Sequence, residues 1–116
     1  MKKNLVKILV LYMLSIDDEP LNLILNEAKV SKSNTEFLKK PYKKQNVEDS
    51  DIKEALKELI KIEYIKVLDE KGNNILNFDI NEILNSVNPY EYWFTITLTG
   101  KEYFEKNYYT YWKENK

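Results

Sequence analysis

The hydrophobic positions of this chain change their period several times, and each change marks an element. From about Lys3 to Ser15, Leu5, Ile8, Leu9, Tyr12 and Met13 recur at helical spacing, and Val6, Val10, Leu11 and Leu14 widen the stripe. A helix this apolar is expected at the centre of the fold. The segment IDDEP ends it, and Pro20 suits the first position of a second helix, Pro20 to Ala28, with Asp18 or Glu19 near the cap. That helix should bury Leu21, Ile24, Leu25 and Ala28 and leave Asn22 and Asn26 outside.

The stretch SDIKEALKELIKIEYIKV, Ser50 to Val67, carries the plainest switch. Ile52, Ala55, Leu56, Leu59 and Ile60 follow the helical period. Ser50 or Asp49 is placed to cap, and Asp51 with Glu54 has capping-box spacing. After Lys61 the period falls to two, with Tyr64, Lys66 and Leu68 on one side and Ile65 and Val67 on the other. This third helix, Ser50 to Ile62, therefore runs directly into a strand. Its partner is YWFTITL, Tyr92 to Leu98, the strongest β-former in the chain.

Between these two strands, KGNN reads as a turn in which Gly72 supplies a positive φ. Ile75, Leu76 and Phe78 suggest a short strand. Asp79 and Glu82 then precede Ile80, Ile83, Leu84 and Val87 with capping-box spacing, predicting a two-turn helix. Upstream, Ser33 and Glu36 predict a short helix, Asn34 to Lys40, ended by Pro41. Thr99 and Glu102 form the last capping box, opening a helix from Gly100 to about Lys113 that carries Tyr103, Phe104, Tyr108, Tyr111 and Trp112.

Composition narrows the chemistry. The 116 residues, 43% apolar and 32% charged, fit one soluble globular domain. With neither Cys nor His, there is no thiolate nucleophile, no imidazole base and no zinc site built on sulfur or imidazole. Gly72 and Gly100 are the only glycines, so a glycine-rich phosphate loop is absent. The adjacent acids Asp17, Asp18 and Glu19, and the pair Asp49 and Asp51, read as caps and solubilising groups. No catalytic residue, cofactor or metal is expected, and the chain is not read as an enzyme. The apolar run near Met1 lacks a small-residue cleavage site and is too short to span a membrane, so a cytoplasmic location is expected.

The net charge of -1 conceals a division. Residues 29–47 carry six Lys and one acid, whereas residues 48–99 carry five Lys and eleven acids. All eighteen basic residues are Lys. The absence of Arg removes the usual bidentate reader of guanine.

The order of these elements, with IKEALKELIKIEYIKV in the middle and FTITLTGKEYFEK near the end, resembles the winged-helix domains of bacterial and archaeal transcriptional regulators. The likeness covers roughly residues 5–68 and 92–106. It implies an α+β winged helix-turn-helix with a three-helix core and a small antiparallel wing. The third helix would be the recognition helix, a short strand would leave it, and two strands would form the wing. Leu98-Thr99-Gly100-Lys101-Glu102-Tyr103-Phe104 matches the family's junction into its last helix, one residue shorter between threonine and glycine. Where the family often has a glycine, this chain has Glu63 and Tyr64. The insertion at residues 69–91 is longer than a simple wing and adds acid. Glu48, Asp49 and Asp51 place acid at the start of the third helix, where phosphates would lie.

Two functions follow as expectations. The first is binding of double-stranded DNA by a transcriptional regulator or accessory protein, as a homodimer. Lys39, Lys40, Lys43, Lys44, Lys57 and Lys61 would contact phosphates; Gln45, Asn46 and Ser50 are the neutral side chains nearest base edges. The second is a non-enzymatic protein-binding module reusing the same fold, as in phage or mobile-element inhibitors. Tyr108, Tyr111 and Trp112 would either complete the core or meet a second subunit or partner.

Overall fold

A computed structural model describes residues 2–30, 38–39, 46–88 and 90–112. Among these, the chain is an α+β fold of five α-helices and one three-stranded antiparallel sheet. The first helix, α1, spans Lys2–Ile16. Leu5, Val6, Ile8, Leu9, Val10, Leu11, Met13 and Leu14 are all buried on it. It is the central element expected. Its neighbours are α2 (Leu21–Val30), α3 (Asp49–Lys61), the strand β3 (Tyr92–Ile96) and α5 (Leu98–Asn107).

Pro20 departs from its expected role. It belongs to a two-residue strand, β1 (Glu19–Pro20), with Glu19 opposite Phe94 and Pro20 opposite Trp93. Proline has no N–H to donate, and β1 lies at the sheet edge, where a missing donor is tolerated. The helix begins one residue later. Leu21 and Ile24 are buried on α2 as predicted, and Asn26 is exposed. Asn22 is half-buried instead of exposed, its Nδ2 donating to the Tyr90 hydroxyl at 3.1 Å. The side chain of Ala28 lies outside the described residues, as does most of the helix expected from Asn34 to Lys40; its described residues, Leu38 and Lys39, are not helical, and Leu38 forms a bridge with Trp112.

On α3, Ile52, Ala55, Leu56 and Leu59 are buried, as their spacing demands. The cap is Glu48, not Ser50 or Asp49: Asp51 accepts the Glu48 backbone N–H at 2.9 Å, the return half of a capping box. The helix ends in a paired-carbonyl cap. Tyr64 N–H donates to Leu59 O at 2.9 Å and Glu63 N–H to Ile60 O at 3.0 Å, which requires Glu63 to adopt φ 63°.

Strand β2 (Ile65–Asp69) follows and pairs with β3 along its length, from Ile65 opposite Ile96 to Asp69 opposite Tyr92. The sheet order is β1-β3-β2. Ile65 and Val67 are buried and Lys66 is exposed; Leu68, in the alternate register with Lys66, is buried as well. The chain folds back at Asp69, whose carboxylate accepts from the backbone of Lys71 and Asn73, both at 2.9 Å. Gly72 supplies the positive φ there, 86°. The returning segment covers Leu68 through a bridge at Asn74, and Ile75 N–H donates to Val67 O at 3.0 Å. The strand expected at Ile75, Leu76 and Phe78 does not form, and Leu76 is 86% exposed.

Asp79 does cap the short α4 (Ile80–Leu84), accepting from Asn81 N–H at 2.9 Å. This helix buries Ile83 and Leu84 but stops before Val87, which is fully exposed. The final helix is displaced from its expected bounds. Thr97, not Thr99, is its cap: the Thr97 hydroxyl accepts Gly100 N–H at 3.1 Å and donates to Glu63 O at 2.8 Å. That second bond ties the cap to the end of α3 and selects Thr97 over Thr99. After Asn107 the chain tightens into a 3₁₀ turn, Tyr108–Thr110, instead of continuing to Lys113. Trp112 then bridges to Leu38, and both are buried.

Candidate nucleic-acid interface

The outward face of α3 carries the candidate lysines Lys57 and Lys61. At 3.6 residues per turn, Ser50, Lys53, Glu54, Lys57 and Lys61 fall on the arc opposite Ile52, Leu56 and Leu59. Ser50, Glu54, Lys57 and Lys61 are exposed, and Lys53 is half-buried along its stem. Lys53 is not among the phosphate contacts expected from the sequence, although its four-residue spacing from Lys57 and Lys61 is visible there.

Glu58 sits at the side of this face and is already engaged. Lys7 of α1 reaches across to it, with Nζ 2.7 Å from Oε2. The hydrogen bond from Lys7 is the main cause holding the Glu58 carboxyl below its ordinary value, partly opposed by burial and helped by the charges of Lys7, Lys3 and Lys61. With Glu58 held by Lys7, the face presents Lys53, Lys57 and Lys61 against Glu54. Asp51 is turned toward the Glu48 backbone by the capping bond, so part of its charge is spent on the helix terminus. A cleft of about 270 Å³ between α1 and α3 is lined by Lys3, Val6, Asp51, Glu54, Ala55 and Glu58.

The remaining candidates are dispersed. Asn46 and Ser50 are exposed at the approach to α3. Lys39 is half-buried, and its backbone N–H donates to Tyr111 O at 2.7 Å, placing it beside the C-terminal segment. Lys40, Lys43, Lys44 and Gln45 lie outside the described residues. Of the aromatic trio, Trp112 is internal. Its ring lies 5.3 Å from that of Tyr12 and 6.3 Å from that of Phe104, and Leu38 covers it. Trp112 is therefore a core residue and leaves the proposed partner face; Tyr108 and Tyr111 remain half-buried.

Acid collects elsewhere. Asp17, Asp18, Asp69 and Glu70 line a cleft of about 360 Å³ together with Trp93 and Lys71. Nearby, burial, followed by Glu27, Asp17 and Asp18, pushes the Glu19 carboxyl above its ordinary value. Among the described residues, no group of three or more His, Cys, Asp or Glu is arranged to hold a metal ion. No helix among them is long and apolar enough to cross a membrane.

Comparison with protein-family models, with curated proteins and with solved structures found no significant match.

Proposed function

We propose that this chain is a winged-helix protein that binds double-stranded DNA through α3, as a regulator or accessory factor with no chemistry of its own. The fold-level support is the order of elements. A short strand leaves α3, antiparallel β2 and β3 carry the wing, and a helix rich in aromatics follows.

The observation that carries the reading is the stripe Lys53, Lys57 and Lys61 on a solvent-facing helix whose neighbouring acid, Glu58, is held by Lys7. Such a surface attracts a phosphate backbone by releasing its counterions. With Trp112 in the core, the monomer is the proposed binding unit. The test is fluorescence anisotropy with a mixed-sequence duplex, titrated from roughly 20 to 200 mM salt, where each phosphate contact contributes a slope near -0.9. Saturable binding that weakens steeply with salt, and is lost in a folded Lys57→Glu, Lys61→Glu variant, is expected. Flat anisotropy at the lowest salt would overturn the reading.

A second reading has its own observation. Ile60, Ile75, Leu76 and Phe78 line a groove of about 240 Å³ beside β2, rimmed by Glu63 and Lys66. Exposed apolar side chains around a groove suit a protein-binding module. Flat anisotropy would shift the proposal there.

A further inference from the structure

We infer that α3 lies along one phosphate strand instead of reading base edges, so that the partner is duplex DNA of any sequence and not a defined operator. This inference rests on the DNA-binding reading above. It begins with the side chains that α3 offers. From Asp49 to Lys61 the helix contains no Arg, Asn or Gln, and Ser50 is its only neutral polar residue. Arg and Lys reach guanine, and Asn and Gln pair bidentately with adenine; of this set α3 holds only lysine. Lysine is a mobile point charge, well suited to phosphate and poorly suited to fixing one base.

The spacing points the same way. Residues four apart on a helix rise about 6 Å and turn by about 40°, so Lys53, Lys57 and Lys61 rise roughly 12 Å along a row that winds gently around α3. Successive phosphates of one DNA strand lie roughly 6–7 Å apart once the rise of 3.4 Å is combined with the helical rotation. The rise of the row is comparable to that spacing, and the long lysine stems take up the winding. A helix docked end-on into the major groove would present its first turn to the bases. Here that turn holds Asp49 and Asp51 with the Glu48 cap, all of which repel the strand. Laying α3 lengthwise keeps those acids at one end and brings all three lysines to the backbone.

The free protein also bears a cost consistent with this use. Lys53 with Lys57, and Lys57 with Lys61, are like charges at a spacing that disfavours the helix. Glu58, four residues after Glu54, is bonded to Lys7 and is left with a weaker, purely electrostatic attraction to Lys61. An anionic strand alongside α3 relieves both repulsions at once.

The experiment is selection from a pool of duplexes with a randomised 20-base-pair core, followed by salt titration of wild type and variants by anisotropy. The expected result has three parts. Selected and unselected pools differ less than about tenfold in affinity, against the thousandfold or more of operator-specific proteins. Lys53→Gln, Lys57→Gln, Lys61→Gln lowers the salt slope by about 2–3 units, near 0.9 for each phosphate contact removed. Lys101→Gln, Lys106→Gln on α5 leaves the slope unchanged, and thermal melts show every variant folded. A consensus enriched more than about a hundredfold would overturn the inference while leaving DNA binding intact. So would an unchanged slope in the triple variant, or an equal fall in the α5 control. No binding of the unselected pool by wild type would remove the DNA-binding reading and the inference together.

Discussion

Replacing Gly100 by alanine tests how α5 is seated on the rest of the fold. In an ordinary helix this exchange is favourable by about 1 kcal/mol, because alanine is the better helix former. Gly100, however, is buried at the start of α5, directly over the link between α3 and β2. A Cβ at this position would overlap the Tyr64 carbonyl oxygen and come within 2.9 Å of Ile96 Cγ1 and 3.0 Å of the Tyr64 carbonyl carbon. Backbone on one side and a packed isoleucine on the other leave α5 to move. That movement strains two bonds to the same Tyr64 oxygen, from Thr97 N–H at 2.9 Å and from the Thr97 hydroxyl at 3.1 Å. Overpacking costs about 1–3 kcal/mol and each weakened hydrogen bond about 1 kcal/mol. Against the propensity gain, the net loss is about 2–4 kcal/mol. With an unfolding entropy near 0.24 kcal/mol/K for a chain of this size, Tm should fall by about 8–16 °C. Thermal unfolding followed by circular dichroism at 222 nm measures this. A Tm equal to or above that of wild type would show that α5 does not rest on Tyr64 as described.

Glu63→Gly relieves the left-handed backbone at the end of α3, which costs a side-chain-bearing residue roughly 1–2 kcal/mol, less the extra freedom glycine has when unfolded. A net gain of about 1 kcal/mol and a rise in Tm near 4 °C are expected in the same assay, and a fall would contradict the cap geometry. Glu19 has its pKa raised in the fold, so the protonated form is favoured there and the carboxylate costs stability as pH rises through that value. Glu19→Gln should therefore raise Tm at pH 7 and change it little well below pH 4.5, where both folded and unfolded glutamate are protonated; a gain that is equal at both pH values would refute this.

Much of this fold is legible in the sequence because single elements announce themselves. The stripe of α1 and the amphipathic register of α3 give both their bounds and their buried faces, and Tyr92 to Ile96 is rich in aromatic and β-branched residues. Asp79 caps α4 because a carboxylate ahead of a free N–H needs no distant partner. What stayed hidden depends on distant contacts. Two residues, Glu19 and Pro20, have no period to detect, and only β3 makes them a strand. Thr97 and Thr99 are equally able to cap, and the choice is made by carbonyls of Glu63 and Tyr64. The charge balance of α3 depends on a distant contact too: the lysine paired with Glu58 belongs to α1. The lysine row itself was readable, since its spacing is local. Trp112 had two readings until Tyr12 and Leu38 were seen against it.

The strand order has a consequence for how the chain acquires its fold. β3 is the central strand, yet it follows both of its neighbours in the chain. Until Tyr92 to Ile96 is present β1 has no strand partner and β2 has only the short bridge to Asn74, so the sheet cannot grow by accretion from the first residues onward. Its closure joins residues far apart in sequence, Glu19 with Phe94 among them, and such pairings slow folding relative to local helix formation. During synthesis, the helices preceding β3 wait with an incomplete core and two open strand edges, the state in which chains most readily associate wrongly. Once Phe94 inserts, helix core and sheet become one cooperative unit, so loss of β3 should release both together.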